Sequence, residues 1–136
     1  MKVARALVPL LILALSACSG PQVSQLTGDA SLGPIQKAYQ DLIDNYVDQP
    51  DPTQLLQNAY QGARKTLADQ GIQDSQLVAP SFDKNQSANW DKFVQAYSQI
   101  TTKYGPKVGS SALQNGAIGA MANGLNDCLT HYYDPA

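Results

Sequence analysis

Gly116, Ala120 and Gly124 lie four residues apart inside a run of apolar and small residues, LQNGAIGAMANGLNDCLTHYYDP, from Leu113 to Pro135. Leu113, Ala117, Ala120, Met121, Gly124, Leu125 and Cys128 recur at three- and four-residue steps, the period of a helix. Residues four apart stack on one helical face. The three small positions therefore form a stripe almost without side chains, against which a second helix backbone can come close. A glycine inside a helix costs about 0.5–1 kcal/mol relative to alanine. With Gly119 added, the three glycines of this helix need tight packing to offset that loss. On this reading leucine at Gly116 or Gly124 forces the helices apart, alanine there is tolerated, and Asn123, off the stripe, accepts leucine.

Three more helices are expected before it. Gly33-Pro34 opens the first, with Ile35, Ala38, Tyr39, Leu42, Ile43, Tyr46 and Val47 as its apolar stripe, and it must stop before Pro50. Asp51-Pro52-Thr53-Gln54 carries an N-cap and a first-turn proline for the second, which buries Leu55, Leu56, Ala59, Ala63 and Leu67 and stops at Gly71. Residues 72–89 lose periodicity and read as a loop pinned on the core by Leu77, Val78 and Phe82. Trp90, Phe93, Val94, Tyr97, Ile100 and Tyr104 mark the third helix, closed by Gly105-Pro106. Trp90 and Tyr97 share that apolar stripe, so they read as core and not as a stacking platform. Ser110 or Ser111 caps the fourth. The expected spans are 34–48, 52–70, 88–104 and 110–128, an all-α bundle of about four helices within residues 33–136. Leu56, Gln57, Asn58, Gly62 and Ala63 repeat as Leu113, Gln114, Asn115, Gly119 and Ala120. Two copies make no solenoid, and the match is read as two helices meeting one packing demand.

The first residues stand apart from this domain. Lys2 and Arg5 make a basic start and Ala6 to Leu15 an apolar run, followed by Leu15-Ser16-Ala17-Cys18. The run is shorter than the roughly 20 residues of a membrane span. Leu-Ser-Ala-Cys resembles the bacterial lipobox, which implies a signal peptide over 1–17, cleaved so that a diacylglycerated Cys18 becomes residue one. Two or three acyl chains anchor stably where one does not. Residues 18–32 form a flexible tether, rich in Ser, Gly and Gln. The expected place is the bacterial cell envelope, on the membrane through Cys18.

The residues after the signal have no basic stripe. Of nine Lys and Arg in the chain, Lys2 and Arg5 are removed, leaving seven against eleven Asp and no Glu, a net charge of −4. Nucleic acid is excluded as a partner, for want of cations to neutralise phosphates. Cys128 is then the one thiol left, so no internal disulfide can form.

Two stretches carry a family resemblance. Gly116, Ala117, Met121, Leu125, Asp127, Thr130 and Tyr132 resemble the end of the N-terminal helical region of the C-terminal processing (tail-specific) serine peptidases, with Ala120-Met121 where the family has Gly-Met. Asn45-Tyr46-Val47-Asp48, followed by Asp51-Pro52, Leu55-Leu56 and Gly62, looks like the family's Tyr-Val-Asp turn and the helix after it. The resemblance implies a chain that enters a PDZ domain and then a catalytic domain with a Ser/Lys pair. Neither fits before Ala136, so this stretch is expected to be non-catalytic by itself. It also implies a structural role for the Asp-x-x-Thr turn, with Asp127 and Thr130 bonded to its backbone.

No other group of residues meets the demands of catalysis. Cys128 and His131 stand three apart beside Asp127, but His131 is the one histidine and no glycine-rich nucleophile turn accompanies the pair. One His, one remaining Cys and scattered Asp do not approach zinc or calcium spacing. Gly119 and Gly124 have the separation of a phosphate loop without the Lys-Ser/Thr that follows it. No cofactor or metal is expected. The expected partners are the membrane, the peptidase's further domains, or another envelope protein. The alternative is a stand-alone envelope lipoprotein that binds a protein partner.

Overall fold

The computed structural model describes residues 30–127 and 130–133. Cys18, Cys128, the expected signal peptide and nearly all of the tether lie outside the described residues. Four helices follow in order: α1 Leu32–Asn45, α2 Pro52–Asp69, α3 Gln86–Val108 and α4 Ser110–Asn123. Among the described residues all regular structure is helical. The all-α bundle read from the periodicity is the fold of this chain.

Helix α1 begins two residues before Pro34, whose missing N–H falls in the first turn, where amides have no intrahelical acceptor. It ends three residues earlier than expected, because Tyr46 turns extended (φ −79°, ψ 136°) while its N–H still reaches Leu42 O. Gln49, before Pro50, takes φ 36°. Asp51 then caps α2, its Oδ1 accepting from Thr53 N at 2.8 Å with Pro52 in the first turn. At the other end Gly71 (φ 74°) donates to Ala68 O and Ile72 to Leu67 O, both at 2.9 Å. That pair of bonds is the Schellman closure, and Leu67 and Ile72 both pack on the core beside it.

The loop after α2 is pinned differently from the expectation. Leu77 is buried and Phe82 partly so, but Val78 is 76% exposed. Val78 holds the loop through its carbonyl, which accepts from Tyr60 Oη at 3.0 Å.

Helix α3 starts at Gln86, because Asn85 caps it through Ala88 N and Asn89 exchanges two bonds with the Asp83 backbone. It continues through Gly105-Pro106 to Val108. A proline this close to the end removes a single ladder bond, and Gly109, at φ 94°, ends the helix instead. Gly109 is also the first cap of α4, with no side-chain cap bond, so neither serine has the capping role expected of it. Helix α4 stops at Asn123, five residues short of the expectation, since Asn126 adopts φ 52° and turns the chain away.

The core is one cluster that includes Ile35, Leu55, Leu56, Tyr60, Phe93, Ile100, Leu113 and Met121. Helix α4 touches each of the other three and lies most closely on α2. Tyr39, Trp90, Phe93 and Tyr97 form an aromatic ladder with centroids 5.5–5.6 Å apart, which joins α1 to α3. Tyr97 is therefore in the core, and Trp90, partly buried, packs against it.

Candidate functional site

Asn58, Gly62 and Thr66 fall at four-residue steps on α2 and meet the small stripe of α4 in antiparallel order. A Cβ built on Gly62 would run into Gly116 O and stand 2.5 Å from Ala120 Cβ. One on Gly116 would run into Thr66 Oγ1 and stand 2.9 Å from Gly62 O. Thr66 donates to that same carbonyl at 3.1 Å, which keeps its hydroxyl in the groove. Gly124 meets the Asn58 side chain, its Cβ position 2.8 Å from Asn58 Cγ.

Two sequence readings change here. Alanine at Gly116 is not mild, because one of the atoms in its way is backbone. The repeat also misleads, for it pairs Gly62 with Gly119, yet Gly119 does not face α2. A Cβ there would meet Tyr132 Cδ1 at 3.5 Å, an ordinary contact. The α2 stripe was visible in the sequence, at the same spacing as its partner. Asn and Thr within it hid the pattern from a search for apolar residues.

The exit from α4 is fastened at two points. Asp127 Oδ2 accepts from Thr130 Oγ1 at 2.9 Å and from Tyr46 Oη at 3.0 Å, a contact across 81 residues of sequence. Tyr132 Oη donates to Asn115 Oδ1 at 2.9 Å. These bonds run from side chain to side chain, and Tyr46 is the partner that sequence reading missed. Burial, then the bond to Asp127, holds the Tyr46 hydroxyl above the usual tyrosine range, so it stays a donor at neutral pH. Next to the clamp residues in sequence, Val47 is 92% and Tyr133 83% exposed. His131 is exposed as well.

A second polar cluster ties the 72–85 loop to α3. Asp74 Oδ2 accepts from Lys103 Nζ at 2.8 Å and Tyr104 Oη at 2.7 Å, while Oδ1 accepts from Gln76 N. Lys103 above all, then Tyr104 and the Gln76 amide, pull the Asp74 carboxyl down to about 2. The same contact raises Lys103 and Tyr104. With the three hydroxyls of Tyr46, Thr130 and Tyr104 and the lysine serving as donors, the clusters at Asp127 and Asp74 hold elements together and present no activated nucleophile.

A family model for the activating protease CtpB N-terminal domain matches residues 69–136, half of the chain. The chain belongs to this family. The CtpB N-terminal domain match opens on the last residue of α2 and takes in α3, α4, Asp127 and Thr130. It makes the chain an N-terminal region of the C-terminal processing peptidase family. The stretch from Tyr39 to Leu67 precedes the match and is joined to it physically, by Tyr46 on Asp127 and by Gly62 on Gly116. No curated protein and no solved structure matches.

Proposed function

We propose that this chain is the lipid-anchored N-terminal helical region of a C-terminal processing serine peptidase. The observation that carries the reading is the CtpB N-terminal domain match, whose range includes the Asp127–Thr130 turn where the family's chain leaves the helices. The region itself cleaves nothing. It carries the peptidase on the membrane through Cys18 and directs the chain toward the domains that do the chemistry, with Asp127 and Thr130 as a structural turn. The Leu15-Ser16-Ala17-Cys18 lipobox supports the anchor, and the Tyr46 and Tyr132 bonds support a set exit direction.

Anchoring is tested by Cys18→Ala in the producing cell. The variant is expected to stay unprocessed by the lipoprotein signal peptidase and unlabelled by a fatty-acid probe. Acylation that persists without Cys18 overturns the anchor. Absence of catalysis is tested by incubating the chain with unstructured protein substrates, where no cleavage is expected. Hydrolysis abolished by a single serine substitution would sink that part of the reading.

A second reading, a stand-alone envelope lipoprotein that binds a protein partner, is favoured by the exposed Val47 and Tyr133 beside the clamp. A neighbour, whether another domain or another chain, would cover these two side chains. The coding sequence downstream of Ala136 separates the two. A frame that continues into PDZ-like sequence supports the peptidase, and a stop codon supports the lipoprotein.

A further inference from the structure

A cavity of about 500 Å³ opens between the C-terminal half of α2 and the loop that follows it, within the size range of small-ligand sites. Leu67, Ile72 and Leu77 give it an aliphatic wall, and Arg64 and Asp74 bring its charges. Those two charges are not equivalent. Asp74 is bonded to Lys103 and Tyr104, so its charge is already met by a cation outside the cavity lining. Lys37, Lys65 and Lys92 likewise pair with Asp41, Asp69 and Asp83. Among the described residues Arg64, Lys84 and Lys107 pair with no carboxylate, and of these three Arg64 alone lines the cavity.

We infer that this cavity is a binding site for an aliphatic carboxylate. The Arg64 guanidinium presents a planar fork that matches a carboxylate with two parallel bonds. Ile72 and the exposed edges of Leu67 and Leu77 take the apolar body, and the charge-assisted bonds to Arg64 supply the discrimination. One uncompensated cation balances a single negative charge, as a carboxylate carries. Two sources share this chemistry, a free short-chain fatty acid and the C-terminal residue of a peptide with an aliphatic side chain. The site stands apart from the seam and the clamp and does not depend on the peptidase reading.

The test is a titration of the full chain, held in uncharged detergent, followed by amide NMR shifts. The probes are sodium isovalerate, a tripeptide ending in leucine, the same tripeptide amidated, and sodium chloride at matched ionic strength. Saturable shifts at residues 64–77 with isovalerate or the free-acid peptide, absent with the amide and with chloride, are expected. Isovalerate alone assigns the site to free acids, and the peptide alone assigns it to chain ends. Loss of charge-assisted bonds in Arg64→Gln should weaken binding at least about tenfold, while Lys65→Gln on the outer face changes it little. Equal shifts with the amidated peptide, or no saturable shift at these residues with either acid, overturn the proposal whether or not the Arg64 variant folds.

Discussion

At Gly116 an added methyl group meets Thr66 Oγ1 and the Gly62 carbonyl, whereas at Gly109 it meets nothing within 4 Å. The first position needs a missing side chain and the second a backbone that reaches φ 94°. Gly116→Ala should therefore destabilise the protein by about 1–3 kcal/mol through overpacking. Gly119→Ala on the same helix should be neutral or stabilising by a few tenths to about 1 kcal/mol, because its new methyl has ordinary room. Gly109→Ala should cost about 1–3 kcal/mol by backbone strain. Urea denaturation of the three variants separates these causes, and equal behaviour of Gly116→Ala and Gly119→Ala would remove the seam as a determinant of stability. Tyr46→Phe addresses another single atom. Hydrogen exchange should rise at residues 130–133 while the buried amides of α2 keep their protection.

Between elements, one carboxylate ties the start of the loop from Ile72 to Asn85 to the C-terminal half of α3. Asp74 holds α3 through Lys103 and Tyr104, and its folded pKa of about 2 lies below the roughly 3.9 of an unfolded aspartate. A depressed carboxyl stabilises the fold fully above the unfolded value, and that contribution disappears as pH falls through the folded one. Melting curves between pH 5 and about 2 should thus show acid destabilisation that Asp74→Asn flattens, with the variant already less stable at pH 7. An unchanged acid limb in the variant would mean that another group sets it. The α2 N-cap offers a simpler case: Asp51→Ala should cost about 0.5–2 kcal/mol.

For the whole molecule, the aromatic ladder from Tyr39 through Trp90 and Phe93 to Tyr97 is what joins α1 to α3. Phe93 is fully buried in the middle of that ladder. Phe93→Ala should remove about 3–5 kcal/mol, a large share of the stability of a domain this small. Equilibrium denaturation should show that loss, and near-ultraviolet circular dichroism should weaken as the Tyr39–Trp90 stack loosens. A loss below about 1 kcal/mol would show that the core does not rely on the middle ring of the ladder. Since the residue that ends α1, Tyr46, also reaches the exit turn, the ladder and the clamp together fasten the first helix to the last residues described.

The local sequence by itself determined the four helices, the Asp51 cap, the Gly71 stop and the apolar faces, because period and capping chemistry act within a few residues. It also marked the stripe at Gly116, Ala120 and Gly124. The three-dimensional arrangement decided what that stripe meets, since Asn58, Gly62 and Thr66 gain their meaning only when α2 lies antiparallel on α4. Tyr46 read as part of a helix's apolar stripe, and only the fold brings its hydroxyl to Asp127, 81 residues away. Gly105-Pro106 read as a stop because proline breaks helices in general, but losing one ladder bond near a helix end costs less than unwinding the turn. The pocket at Arg64 was equally hidden. Whether a cation is already paired depends on which carboxylates the fold brings within reach, and no spacing along the chain records that.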